Sequence, residues 1–317
     1  MRYSESHSAS SPDHRKPARC LQAAGLVLMA IVAALMLMPQ SLQAQPSGQK
    51  TGHLRVMSYN MLFEYNVPEQ PERQWVNRLK WCAAGLKKNK PDIIGAQEIL
   101  TFQLRQLLDE VDNYGWVGVG LIKGDRTMER SENEAILYRK DRLEVLDEGS
   151  FWFSTTPEKP GTYAWGMKYP RMCNWGKFRE LKSGRIFFLF NSHFYVDKDK
   201  EAARIEAARL VVERMKTIAH GYPIICTGDL NGTVDSPSIQ LLMNEAELKD
   251  AFAIAAKRKG PSDSFHGFKS TPKPNSRIDQ ILVSGDITVK CYRIIDDQLK
   301  KLHFESDHLP VCADITF

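Results

Sequence analysis

The sequence predicts an α/β fold on three observations. Short apolar runs rich in β-branched and aromatic residues recur from Leu54 to the carboxyl terminus, segments of helical period are interleaved with them, and most of the runs are near-continuous in hydrophobic residues. A strand that is apolar at every position is buried on both faces, which requires packing against a second sheet or a helix layer.

Taken along the chain, the strands expected are 54–59 (LRVMSY), 92–97 (DIIGAQ), 135–139 (AILYR), 186–191 (IFFLFN), 223–229 (PIICTGD), 277–283 (RIDQILV) and 310–317 (PVCADITF). Trp75, Leu79, Cys82 and Leu86 fall on one helical stripe, and Ile205, Ala208, Val212, Met215 and Ala219 on another. Each stripe predicts a helix lying over a sheet. Both stop at turn signals, Asn89 to Pro91 and Gly221 to Pro223.

Of the 317 residues, 43% are hydrophobic and 26% charged, which excludes disorder and fibrous repetition. No internal repeat or Gly/Pro-rich linker interrupts residues 54–317, so they read as one domain, with 45–53 as a short linker. Residues 1–44 differ. A polar stretch with Arg15, Lys16 and Arg19 precedes an almost unbroken apolar run from Leu21 to Met38, and Pro39 ends it. This is the pattern of an export signal with Gln45 as the expected mature start, favoured over an uncleaved membrane anchor. Either reading places the protein outside the cytoplasm, secreted or periplasmic.

The formal net charge is +5, of which residues 1–44 contribute four bases and two acids, leaving +3 for the rest. So small an excess excludes nonspecific retention of a polyanion by charge alone. Outside that segment the cysteines are Cys82, Cys173, Cys226, Cys291 and Cys312. An odd number without Cys-x-x-Cys spacing argues against a disulfide framework and against a thiolate zinc site. Cys226 and Cys312 lie in apolar runs and read as buried free thiols.

Several expected strands run out into polar residues that a buried strand does not favour: Asn60, Glu98, His193, and Asp229 with Asn231. Singly, each is an ordinary strand terminator. Together with Asp307 they form a set dominated by oxygen donors, the preference of a hard cation such as Mg²⁺ or Mn²⁺ over zinc.

The motifs MSYNML, DIIGAQE, SENEAILYRKDRLE, FNSHF, TGDLNGT, SRIDQILV and SDHLPV, in this order, resemble the endonuclease/exonuclease/phosphatase family over nearly everything after residue 53. FWFSTTPEKPG followed by YPRMCNW is most similar to the bacterial secreted and nocturnin-like branches. The resemblance implies a four-layer α/β/β/α sandwich, with two mixed sheets flanked by helices. It also implies a Mg²⁺-dependent phosphoesterase, Mn²⁺ being a substitute, in which water attacks phosphorus directly.

By the same resemblance, Glu98 is the principal metal carboxylate, and Asn60 and Asp307 lie in or beside the metal shell. Asn231 donates to the scissile phosphate and Asp229 orients or deprotonates the attacking water. Two carboxylate–histidine pairs map to Asp279 with His308 and Glu132 with His193; Glu132 is preferred to Glu134 because the family places its Glu six residues before the strand tyrosine, here Tyr138. Arg171 matches a family arginine that contacts phosphate, and a guanidinium suits two phosphate oxygens. Phe151, Trp152 and Phe153 read as core, whereas 163–169 reads as a specificity loop. The substrate expected is a phosphate ester, a nucleic acid or nucleotide ahead of a phospholipid or other small phosphoester, acted on by a monomer without an obligate protein partner.

Overall fold

Strands and helices alternate through the computed structural model, which describes residues 50–64, 68–301 and 304–317. The segment read as an export signal lies outside the described residues. The strands of the first half are β1 (His53–Asn60), β2 (Ile93–Gln97), β3 (Ile99–Leu100), β4 (Tyr114–Val117), β5 (Glu132–Asn133), β6 (Ile136–Arg139) and β7 (Leu143–Trp152). Those of the second half are β8 (Met172–Glu180), β9 (Ile186–His193), β10 (Ile224–Asp229), β11 (Leu248–Asp250), β12 (Arg258–Lys259), β13 (Asp279–Ser284), β14 (Thr288–Ile294) and β15 (Val311–Thr316).

They form a seven-stranded sheet in the order β12-β14-β15-β1-β2-β6-β4 and a six-stranded sheet in the order β11-β13-β10-β9-β8-β7, with β3 and β5 as a separate short pair. All seven strands expected from the sequence are present, and the long runs fall at the sheet centres. Inner-face residues of both sheets, including Val56, Ile93, Val311, Phe187, Ile225 and Ile281, share one buried cluster. The outer face of the first sheet buries Met57, Ile94 and Leu137 against Trp75, Cys82 and Leu86 of the helix Trp75–Asn89 and Leu104 and Leu107 of the helix Thr101–Glu110. The outer face of the second buries Phe188, Phe190 and Cys226 against Ala208, Val212 and Met215 of the helix Glu201–Ala219. Four layers therefore result from strands that are apolar on both sides. Each large side chain so buried contributes roughly 1.5–3 kcal/mol before chain entropy is charged against it.

Both helices expected from the sequence end where their turn signals lie. Lys90 takes a left-handed conformation (φ 47°) and its N–H reaches the Leu86 carbonyl at 2.8 Å, after which Pro91 cannot extend the helix. His220 (φ 45°) and Gly221 (φ 81°) end the second in the same manner. The described cysteines are free thiols, and Cys226 and Cys312 are buried as expected. Among the described residues, no helix is long and apolar enough to cross a membrane.

Candidate active site

Strand pairing brings the polar strand ends together. β1 and β2 are parallel with Asn60 opposite Gln97, so Glu98 emerges one residue past the end of β2. In the other sheet β9 and β10 are parallel with His193 opposite Asp229, and β13 runs antiparallel with Asp279 also opposite Asp229. Carboxyl edges of both sheets thus meet, the usual location of a site in α/β folds. Glu98 leaves its strand in the left-handed region (φ 58°), as does Asn231 (φ 48°). That conformation costs a non-glycine residue roughly 1–2 kcal/mol and here turns each side chain toward the junction.

Glu98, Arg171, His193, Asp229, Asn231, Asp307 and His308 line one cleft of about 690 Å³. The Asn60 amide nitrogen donates to Glu98 Oε1 and to Asp229 Oδ2, both at 3.0 Å, while its oxygen accepts from the Leu62 N–H at 3.0 Å. Asn60 therefore bridges the two acids and holds Glu98. Asp229 Oδ1 accepts from the Asn231 N–H at 3.0 Å, and the Asn231 side chain donates to the Phe194 carbonyl at 2.9 Å.

His308 Nδ1 lies 2.9 Å from Asp279 Oδ2, and its Nε2 lies 3.6 Å from Asp229 Oδ2. Burial opposes a charged ring, but Asp279 and Asp229 outweigh it and raise His308 well above the ordinary imidazole value. Burial also works to raise Asp229, yet the two histidines and the Asn60 amide hold it below the ordinary carboxylate value. Ser264 Oγ donates to Asp279 Oδ2 at 2.6 Å and so fixes the carboxylate that orients His308.

The Glu132–His193 pair has a third partner. Glu132 binds the Arg171 guanidinium closely, and the same Nη1 donates to His193 Nδ1 at 2.9 Å, leaving Glu132 and Nδ1 3.5 Å apart. An N–H aimed at Nδ1 requires a lone pair there, so this arginine selects the tautomer with hydrogen on Nε2, 3.5 Å from Asp229. Glu132 was expected to favour imidazolium at His193; it lies beside the ring as expected, and the Arg171 guanidinium contacts both and shares the carboxylate. Burial would raise Glu132, but Arg171 and His193 bring it down to about 2.

Glu98, His193 and Asp229 each offer an atom within a shared radius of 4.8 Å, as do Asp229, Asp279 and His308. Of the first grouping, the Glu98 carboxylate faces the cleft as a hard donor and Asp307 adds another there, whereas His193, with its hydrogen on Nε2, turns no lone pair to them. In the second, the close acid partner favours a charged ring, which a metal ligand cannot be.

Several contributors carried no clear sequence signal. A polar layer lies between the sheets beneath the site: Gln97 donates to Asn191 Oδ1 at 2.7 Å, and Asn191 donates to the Ala96 carbonyl at 2.8 Å. Only the intrusion of Asn191 into the apolar run of β9 hinted at it. Lys198, at the start of a single 3-10 turn, and Lys273, in a loop, line the cleft, and Ser264 sits in a stretch without periodicity. Among the aromatics noted in the sequence, Tyr169 lines the cleft, its ring 4.7 Å from that of Tyr195. Phe151, Phe153, Trp165 and Trp175 pack in or against the outer core of the second sheet.

The family model described as the endonuclease/exonuclease/phosphatase family matches residues 57–308. The chain belongs to that family. Solved structures of similar proteins agree: an endonuclease/exonuclease/phosphatase protein from Bacteroides vulgatus is 30% identical, with a TM-score of 0.76 over 83% of this chain and 98% of that one. A mannosyl-6-phosphatase from Bacteroides thetaiotaomicron is 31% identical, with a TM-score of 0.76 over 83% of this chain and 100% of its own. The human nocturnin catalytic domain, at 17% identity and a TM-score of 0.64 over 88% and 98%, shares the fold. As a member of the endonuclease/exonuclease/phosphatase family, the protein is a hydrolase of phosphate esters.

Proposed function

We propose that this enzyme is a Mg²⁺-dependent phosphatase of small phosphorylated sugars or polyols, with Mn²⁺ as an effective substitute. The observation that carries the chemistry is the convergence of Glu98, Asp229, Asn231, His193, Asp307 and His308 on one cleft. Glu98 and Asp307 would hold the ion, with Asn60 steadying Glu98. When bound, the ion neutralises phosphoryl oxygens and aligns the leaving group.

The protein's own groups do the rest. Asp229, kept ionised by its neighbours, orients the attacking water and accepts its proton. The Asn231 amide and the Nε2–H of His193 donate to the phosphoryl oxygens. His308, cationic through Asp279, stabilises the charge that develops. Nη1 of Arg171 is committed to Glu132 and His193, which leaves its other donors for a phosphate oxygen.

The sequence favoured a nucleic acid or nucleotide; the cleft supports the smaller ester. Its lining cations are Arg171 and His308, whose charges Glu132 and Asp279 match, with Lys198 and Lys273. Tracking a polynucleotide needs a longer basic row. A volume of about 690 Å³ suits one small ligand, and Phe63 and Tyr169 add apolar surface to its wall. The 31% identical relative named as a mannosyl-6-phosphatase points the same way. We further propose, from residues 1–44 alone, that the enzyme acts outside the cytoplasm, and that it is a monomer.

A hydrolysis screen of residues 45–317 tests this, reading inorganic phosphate from hexose 6-phosphates, nucleotides and phosphoinositides, chain shortening of an oligonucleotide, and phosphocholine from sphingomyelin. Turnover of the sugar phosphates with Mg²⁺ or Mn²⁺, abolished by chelator, is expected; cleavage of the oligonucleotide alone would overturn the substrate assignment. Glu98→Ala and His308→Ala are expected to fold and to lose turnover by about 10²-fold or more.

A further inference from the structure

Two lysines of the cleft play no part in the chemistry above. Lys198 and Lys273 both line it and are exposed, and neither ammonium has a hydrogen bond or an ion pair among the described residues. The acids near them in sequence are engaged elsewhere: Asp197 pairs with Lys168 at 3.7 Å, Asp199 with Lys200 at 3.2 Å, and Asp263 Oδ1 accepts from the Ser276 N–H at 2.7 Å. Exposed lysines are ordinary on a surface, but these two are carried by segments that are tied down. Buried Arg204 donates to the carbonyls of Tyr195 and Asp197 at 2.8 and 2.9 Å and so holds the chain leading to Lys198. The Lys273 N–H donates to the Phe265 carbonyl at 2.8 Å, and Oγ of buried Ser276 donates to the carbonyls of Phe265 and Lys273. Phe265 in turn has its ring 4.9 Å from that of His308. Each backbone is fixed beside the cleft, while the flexible four-carbon stem leaves the ammonium free to meet a ligand.

Charge indicates what that ligand is. Glu132 matches Arg171, and Asp279 matches His308. A dication matches Glu98 and Asp307, so Asp229 leaves the cleft without its lysines one negative charge in excess, and an ionised Glu134 would only add to that excess. A phosphate monoester carries close to two negative charges at neutral pH, a diester one. The dianion is therefore the harder of the two to admit, and the two lysines supply the positive charge that its entry requires.

We propose that Lys198 and Lys273 are specificity-determining residues that bind the second negative charge of a phosphate monoester, and so select monoesters over diesters. The inference deepens the phosphatase reading and rests on it. An ammonium is a compact point charge with three donors, which suits a doubly charged terminal phosphoryl group. Esterification of a second phosphate oxygen removes the charge that the lysines hold.

The test is calorimetric binding of inorganic phosphate and of dimethyl phosphate to Mg²⁺-loaded residues 45–317, near pH 8 and in about 0.5 M KCl, which screens the general field of the surface. The double variant Lys198→Met with Lys273→Met alters only exposed side chains and is expected to fold. It should bind inorganic phosphate roughly 10-fold or more weakly than the wild type, and dimethyl phosphate nearly as well. Its kcat/KM for a hexose 6-phosphate should fall by a similar factor, with that for the methyl diester of the same sugar phosphate little changed. Equal losses for both anions, unchanged phosphate affinity, or no phosphate binding by the wild type overturns the selection. Lysine-dependent phosphate binding by a wild type that releases no phosphate from any hexose 6-phosphate overturns the phosphatase reading instead, and leaves the two lysines as ligands of a dianion.

Discussion

Glu132 and Glu134 are two residues apart, face the same way, and differ in what meets them. The Arg171 guanidinium lies against Glu132 and holds it ionised, down to about 2, whereas burial beside Glu132 drives Glu134 well above the ordinary glutamate value. Sequence spacing distinguished the two by counting back from Tyr138, but it could not reveal the guanidinium, because Arg171 arrives from a segment 39 residues on. Asp229 and His308 were more legible, since each ends or adjoins a strand whose pairing is dictated by its own apolar pattern. For Glu132 the sign of the pH effect is fixed. A carboxyl with a folded value of about 2 against an ordinary 4.5 stabilises the fold above pH 4.5, and that contribution disappears as pH falls toward 2. The shift corresponds to something on the order of 3 kcal/mol. Urea unfolding at stepped pH, with chelator present, should show this loss in the wild type and a shallower acid limb in Glu132→Gln; superimposable limbs would refute the pairing.

Strands differ in how visible they are. β1, β2, β9, β10 and β15 are largely apolar because both faces are covered, and the sequence displays them directly. β7 and β4 close the edges of their sheets, and β7 is partly exposed through the middle of LEVLDEGSFW, so a search for apolar runs passes over it. β8 and β14 have the same mixed character, in MCNWGKFRE and TVKCYRI. The helix Trp75–Asn89 shows the opposite case, a stripe read correctly whose most informative residue lies beside it. Arg78 is fully buried and donates to the carbonyls of Met61 and Leu62 at 2.7 and 2.8 Å, and to those of Arg73 and Glu305, both at 2.8 Å. It thereby ties the segment after Asn60 to the segment before Asp307. Arg78→Ala leaves four carbonyls short of a donor, and a loss of about 3 kcal/mol follows from charge-assisted hydrogen bonds at these burials. Chemical denaturation measures that loss. Because the tie joins two parts of the site, turnover should fall as well under conditions where the variant is still folded.

At the scale of the molecule, the site exists because two sheets approach closely enough for their strand ends to share one cleft. A polar layer of Gln97, Asn191 and Thr227 fills the gap directly beneath it, with Thr227 Oγ1 donating to Asn191 Oδ1 at 3.1 Å. Gly95 permits that spacing: a Cβ there would lie 2.1 Å from Thr227 Oγ1 and 2.5 Å from Asn191 Oδ1. Thr227 and Asn191 each precede a site residue by two positions on the same strand, Asp229 and His193. Gly95→Ala therefore has to push the sheets apart or displace the polar layer, and either movement reaches the site through β9 and β10. Overpacking of this kind costs about 1–3 kcal/mol. Misplacing the reacting groups by even a fraction of an ångström should add a drop in turnover of roughly 10-fold or more. Gly285→Ala provides the control, since the nearest atom to its Cβ would be Lys249 at 3.9 Å. It is expected to keep wild-type stability and turnover. Equal behaviour of the two variants in thermal unfolding and in phosphate release would show that the site does not depend on how closely the sheets meet.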